Sequence, residues 1–190
     1  ARYFAQNGAS KIVITGRNKD RGDVVCNALS KMGCEALFVA ADLRFIDACS
    51  EIVAAARSHF DQIDHLVNCA ADTRRGNILD TSEQLLDDIL AVNFRAPFFI
   101  MQEVVRWMIE KNIEGSIVNV LSTSYHCGQP FLAAYSASKA ALATLTKNTA
   151  FALLKNRIRV NGIAPGWMDT PGEHAIQESA HDAPEDWLEN

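Results

Sequence analysis

The chain has 190 residues, is 48% hydrophobic and carries a formal net charge of −5. That balance suits one domain with a substantial core and gives no electrostatic reason to expect nucleic acid or an anionic membrane as partner. No apolar run reaches the roughly eighteen residues that span a bilayer, and no signal-peptide pattern opens the sequence.

The elements follow in chain order. KIVITGR (11–17) is a short β-branched run ending at a glycine, which reads as a buried strand. NKDRGDVVCNALSKMG (18–33) has helical periodicity and closes on Gly33 as a C-cap. CEALFVAADL (34–43) is a second strand ending at Asp42, FIDACSEIVAAARSHF (45–60) a second helix, and IDHLVNCAA (63–71) a third strand. A long helix is expected from Ser82, its N-cap, to about Lys111. GSIVNVLS (115–122) is a fourth strand. AAYSASKAALATLTKNTAFALLK (133–155) is a strong helix rich in alanine and leucine, and IRVNGIAPG (158–166) is a fifth strand closed by Pro-Gly. From Trp167 onward the sequence is polar and punctuated by proline and glycine, so it reads as an excursion rather than core.

Strands alternating with helices predict βαβ units and a parallel sheet covered on both faces, a doubly wound α/β fold. No repeat, low-complexity tract or linker interrupts the chain, so a single domain over 1–190 is expected. Five cysteines (Cys26, Cys34, Cys49, Cys69, Cys127) and five dispersed histidines show no metal-ligand spacing. Buried free thiols in a reducing cytoplasm, and no metal site, are expected.

Ligands of such sheets bind beyond the carboxyl ends of the strands. Those ends carry Gly16-Arg17, Asp42-Leu43, Asn68 to Ala71, Ser122 and Pro165-Gly166. Each could be only a turn former, cap or strand-end hydrogen bonder; together they mark a site. Within YSASK, Tyr135 and Lys139 lie one helical turn apart and face the same space. An ammonium group beside a phenol favours the phenolate, so the pair is expected to make a usable proton donor and acceptor.

Taken in order, TGRN, AADL, LVNCAA, AVNFRAPF, GSIVNVLS, YSASK and RVNGIAPGWMDT resemble the short-chain dehydrogenase/reductase family over nearly the whole chain. The resemblance implies a Rossmann-like three-layer αβα sandwich and hydride transfer between a nicotinamide cofactor and an alcohol or carbonyl compound. Tyr135 would be the general acid/base. Lys139 would lower its pKa and hold the nicotinamide ribose. Ser122 would hydrogen-bond the substrate oxygen, and Asn93 would hold a water linking the lysine to solvent. Asp42 and Leu43 match the adenine-contacting segment, Asn68 and Ala70 the Asn-Asn-Ala-Gly segment, and Pro165, Gly166 and Thr170 the stretch beside the nicotinamide. Arg17, with no carboxylate before Asp20, suits an extra phosphate, so NADP(H) is favoured over NAD(H). His126, Phe131, Trp167 and Met168 are candidate substrate contacts. A homo-oligomer, tetramer or dimer, assembled through the helices of Asn93 and Tyr135 is also implied.

Departures from the family pattern bear on these expectations. Cys69 and Ala71 replace an asparagine and a glycine, and the Gly-rich T-G-x-x-x-G-x-G loop is absent. ARYFAQNGASK resembles the end of the helix that follows that loop. The family's first strand would lie between KIVITG and DHLVNCA, so a fragment that lacks this strand and the family's last one, and folds poorly alone, is expected. Two other readings stand beside the dehydrogenase. One is a nucleotide-sugar epimerase or dehydratase, which also uses a Tyr-x-x-x-Lys pair; the other is a non-catalytic nicotinamide-binding regulator.

Overall fold

A computed structural model describes residues 1–181. Helix α1 (Arg2–Gln6) leads into β1 (Lys11–Gly16), α2 (Lys19–Ser30), β2 (Glu35–Ala40), α3 (Ile46–His59) and β3 (His65–Asn68). Then come α4 (Glu83–Leu90), α5 (Ala96–Glu110), β4 (Ser116–Val120), α6 (Ala133–Ala152), β5 (Arg159–Ile163) and α7 (Pro171–His181). Local chemistry explains several boundaries. The Asn18 side chain accepts the Arg21 N–H at 2.9 Å and starts α2. Gly33 takes φ = 80° between α2 and β2, a left-handed turn that a side chain would strain.

All strand pairs are parallel, in two sheets of order β1-β2 and β3-β4-β5. The first runs in register from Lys11–Glu35 to Gly16–Ala40. In the second, β4 is central, facing β3 from Ser116–His65 to Asn119–Asn68 and β5 from Ser116–Arg159 to Val120–Ile163. Among the described residues β1 and β3 share no ladder. The two sheets meet instead through one apolar cluster: Val13 and Val39 pack against the same core as Ile117, Leu142 and Val160. Trp107, Met108 and Val104 of α5 and Val53 and Ala56 of α3 complete that core.

The structure departs from the sequence reading in three places. The long helix from Ser82 is interrupted by a π-helical turn, Ala91–Arg95, where the Ala96 N–H reaches back to the Ala91 carbonyl. Pro97 lies just beyond. It has no N–H to give to the Asn93 carbonyl, and its ring crowds that oxygen, so a widened turn accommodates it. Second, the polar segment after Trp167 contains α7, with Gln177 buried at 7% exposure; residues 182–190 of that segment lie outside the described ones. Third, Cys34 and Cys49 are buried, but Cys69 and Cys127 are exposed. Both exposed thiols sit in loops that follow strand ends, not inside packed elements.

Candidate active site

A cavity of about 330 Å³ opens beyond the carboxyl ends of β4 and β5. It is lined by Ser122, Tyr135, Lys139, Pro165, Gly166 and Thr170, all expected from the sequence. Arg17, Asp42, Leu43, Asn68, Ala70 and Asn93 do not line it. Among the candidate substrate contacts, Trp167 and Met168 do, while His126 and Phe131 do not.

The reacting wall is built from β4 and α6. Ser122 ends the strand segment in extended conformation and starts a short 3-10 turn, Thr123–Tyr125, its Oγ accepting the Ser124 N–H at 3.2 Å. Tyr135 and Lys139 lie in the first turns of α6, and the Lys139 Nζ stands 5.7 Å from the Tyr135 ring centre. Lys139 is 2% exposed, and its Nζ donates to the Val120 carbonyl at 2.7 Å. Burial pushes its pKa down to about 8, with Cys69 acting weakly in the opposite sense.

Tyr135 departs from the expected direction. Burial raises its pKa, while the neighbouring Ser122 hydroxyl and the Arg75 charge pull it down without cancelling that rise. Lys139 is not among the groups that move the Tyr135 pKa; its Nζ is engaged by the Val120 carbonyl instead.

Asn93 sits in the π turn, fully buried. Its Oδ1 accepts the Asp72 N–H at 2.7 Å, and its Nδ2 donates to the Asp72 carbonyl and to Ser138 Oγ, both at 3.0 Å. Both amide hydrogens are used and one Oδ1 lone pair remains. The direct work of this side chain is to pin the loop after β3 to α6. Asn68 is likewise engaged in the scaffold: it donates to Asn119 Oδ1 at 2.8 Å, and Asn119 donates to Thr146 Oγ1 at 2.9 Å, tying β3, β4 and α6 together. Thr170 Oγ1 accepts the Glu173 N–H at 3.2 Å and so also caps α7.

Arg17 and Asp42 mark the ends of β1 and β2. Asp42 accepts from the Arg44 side chain at 2.7 Å, and this hydrogen bond holds its carboxyl below the ordinary range, with a smaller contribution from Arg17. Arg17 is exposed and makes no ion pair among the described residues. Leu43 packs against the core, and Ala70 is exposed in the loop after β3.

Arg75 and Glu173 escaped the sequence reading. They line the same cavity and form an ion pair at 3.0 Å. Only the unusual density of charge in TRR (73–75) hinted at the arginine. A backbone bridge between Gly76 and Leu132 holds Arg75 beside the start of α6, where Tyr135 lies.

A nicotinamide cofactor fits the residues present. Lys139 is a buried cation whose one hydrogen-bond partner among the described residues is a neutral carbonyl, which leaves two donors for a diol. Small residues, Gly166 and Ala71, line the wall beside it.

Comparison with known proteins agrees with this geometry. The family pattern described as short chain dehydrogenase matches residues 1–181. Gluconate 5-dehydrogenase of Gluconobacter oxydans is 33% identical over 188 residues, 99% of this chain and 72% of its own length. The crystal structure of a gluconate 5-dehydrogenase from Burkholderia cenocepacia in complex with NADP and tartrate superposes with a TM-score of 0.86 at 29% identity, covering 99% of this chain and 72% of that one. An NAD+-bound xylitol dehydrogenase gives 0.80 at 29% identity, covering 86% of this chain and 63% of that one. This chain is therefore a member of the short-chain dehydrogenase family, whose NAD(P)-dependent enzymes interconvert alcohols and carbonyl compounds.

Proposed function

We propose that Tyr135 is the general acid/base of this chain's alcohol–carbonyl interconversion, with Ser122 and Lys139 beside it and NADP(H) preferred over NAD(H). The observation that carries this reading is that Ser122, Tyr135 and Lys139 share one cavity, with Lys139 buried and, among the described residues, without a carboxylate partner.

A bound nicotinamide supplies or takes up the hydride. In the oxidation direction the substrate carbinol carbon loses a hydride and its hydroxyl loses a proton to Tyr135 Oη, giving a carbonyl; reduction reverses both transfers. Ser122 Oγ, which shares the cavity with the phenol and lowers its pKa, orients the substrate oxygen and stabilises charge that develops on it. Lys139 positions the cofactor ribose with the donors that Val120 leaves unused. Asn93 anchors the loop after β3, and its spare Oδ1 lone pair suits it to hold a water on the path from Lys139 to solvent.

Arg17 would receive the 2′-phosphate of NADP(H), and its exposed, unpaired guanidinium supports that assignment. Asp42, Leu43, Asn68 and Ala70 would flank the adenosine half, and Pro165, Gly166 and Thr170 the nicotinamide half. A cytoplasmic homo-oligomer is the assembly we favour, and exposed Phe98 on α5 and Phe151 on α6 support a contact through those helices.

The test is oxidation of NADPH and NADH against a panel of ketones and aldehydes, with Tyr135→Phe as control. Loss of the phenolic proton is expected to lower kcat by about 10²–10⁴-fold while cofactor affinity is kept. Equal turnover by wild type and Tyr135→Phe would sink the reading. Cofactor binding with no turnover on any substrate would favour a regulator instead.

A further inference from the structure

The structure assigns to the Arg75–Glu173 pair the recognition of a neutral, polyhydroxylated substrate, such as an alditol or the ketose it becomes. This rests on the reading of Ser122, Tyr135 and Lys139 as the reacting wall. Both partners line the cavity that holds that wall, and both side chains are only 16% exposed. The guanidinium stands over two aromatic rings, 5.5 Å from the Phe131 centre and 5.8 Å from the Trp167 centre. Its position is thus fixed by stacking as well as by the ion pair.

The hydrogen-bond inventory of the pair is incomplete. Arg75 Nη2 and Gln177 Nε2 both reach Glu173 Oε1, at 3.0 and 2.9 Å. Arg75 Nε is buried with no partner, and Glu173 Oε2 accepts no hydrogen bond among the described residues. A buried donor, Arg75 Nε, and an acceptor, Glu173 Oε2, therefore remain on a pair whose charges cancel. A hydroxyl group is both acceptor and donor, so it can answer both. A carboxylate can answer only the arginine, and it meets the like charge of Glu173. Ser124 Oγ is a second buried, unpartnered polar atom on a residue that lines this cavity. An apolar ketone would leave these groups unsatisfied, whereas further hydroxyls would satisfy them.

The experiment measures kcat/KM of the full chain with NADP+ and NAD+ for xylitol, 2-pentanol and xylonate, in wild type, Arg75→Lys and Glu173→Gln. Wild type is expected to prefer xylitol to 2-pentanol by at least about 10²-fold, and to prefer it to xylonate. Each variant is expected to shrink the xylitol-to-2-pentanol ratio by about tenfold or more, chiefly through KM, with an unchanged melting temperature. An unaltered ratio in both variants, equal wild-type turnover of 2-pentanol, or a preference for xylonate would overturn the assignment. If no alcohol turns over, the reading of the reacting wall fails, and thermal protection by xylitol with NADP+ decides the pair alone. Protection lost in both variants supports it; protection absent from wild type, or kept in either variant, overturns it.

Discussion

Lys139 has the clearest pH signature of any single residue. Its pKa is about 8 in the folded chain against an ordinary value of 10.5. Between those values the unfolded chain binds more protons than the folded one, so this residue makes stability rise with pH. Below pH 8 both states are protonated and the full penalty of burying the charge applies, roughly 3 kcal/mol. Urea unfolding of wild type against Lys139→Met across pH 7–10 should therefore show a wild-type disadvantage that shrinks as pH rises; a constant difference would contradict the burial argument. Ser122→Ala is expected to lower kcat by about 10²–10³-fold with little change in cofactor affinity, read by steady-state kinetics and fluorescence titration. The Ser122, Tyr135, Lys139 trio was legible because two of its members share a helix face and the third ends the preceding strand. Arg75 and Glu173 were not, since they stand 98 positions apart and meet only after folding.

Among elements, the segment from Ser82 to Lys111 is the instructive one. Its apolar period announces a helix, and the Ser82 cap fixes its start through the Leu85 N–H at 3.2 Å. The π turn inside it is invisible to periodicity, although Pro97 in the middle of the run was a usable signal. The consequence is local: Asn93 turns inward to Asp72 and Ser138. Asn93→Ala would strand the half-buried Asp72 N–H and is expected to cost about 1–3 kcal/mol in chemical denaturation. A similar test applies where α2 meets β2. A methyl at Gly22 would run into the Phe38 ring, so Gly22→Ala should destabilise by about 1–3 kcal/mol, and Phe38→Ala should relieve part of that in a double-mutant cycle. Additive losses would show that α2 simply shifts to make room.

For the whole molecule, parallel pairing and the position of the cavity at the strand ends followed from the alternation of strands and helices, and the strand order from the family resemblance. The sharing of a single core by two unpaired sheets did not follow, because periodicity shows which side chains are apolar, not which cluster they join. The sheets differ in how their backbones are satisfied. Strand β4 is paired on both sides, whereas β1 and β3 are each paired on one. Amide exchange should accordingly be slowest in Ile117–Val118, and outward-facing amides of β1 and β3 should exchange faster by about tenfold or more. Uniform protection across the three strands would show that β1 and β3 are covered in solution.

The contact between Lys139 and the carbonyl of Val120 has an evolutionary reading as well. A carboxylate partner could be erased by one base change; a main-chain acceptor cannot, since every residue type at position 120 brings the same oxygen. The lysine thus depends on where the strand runs and not on what is written there, so drift at that position is free to reshape the cavity floor without silencing the charge.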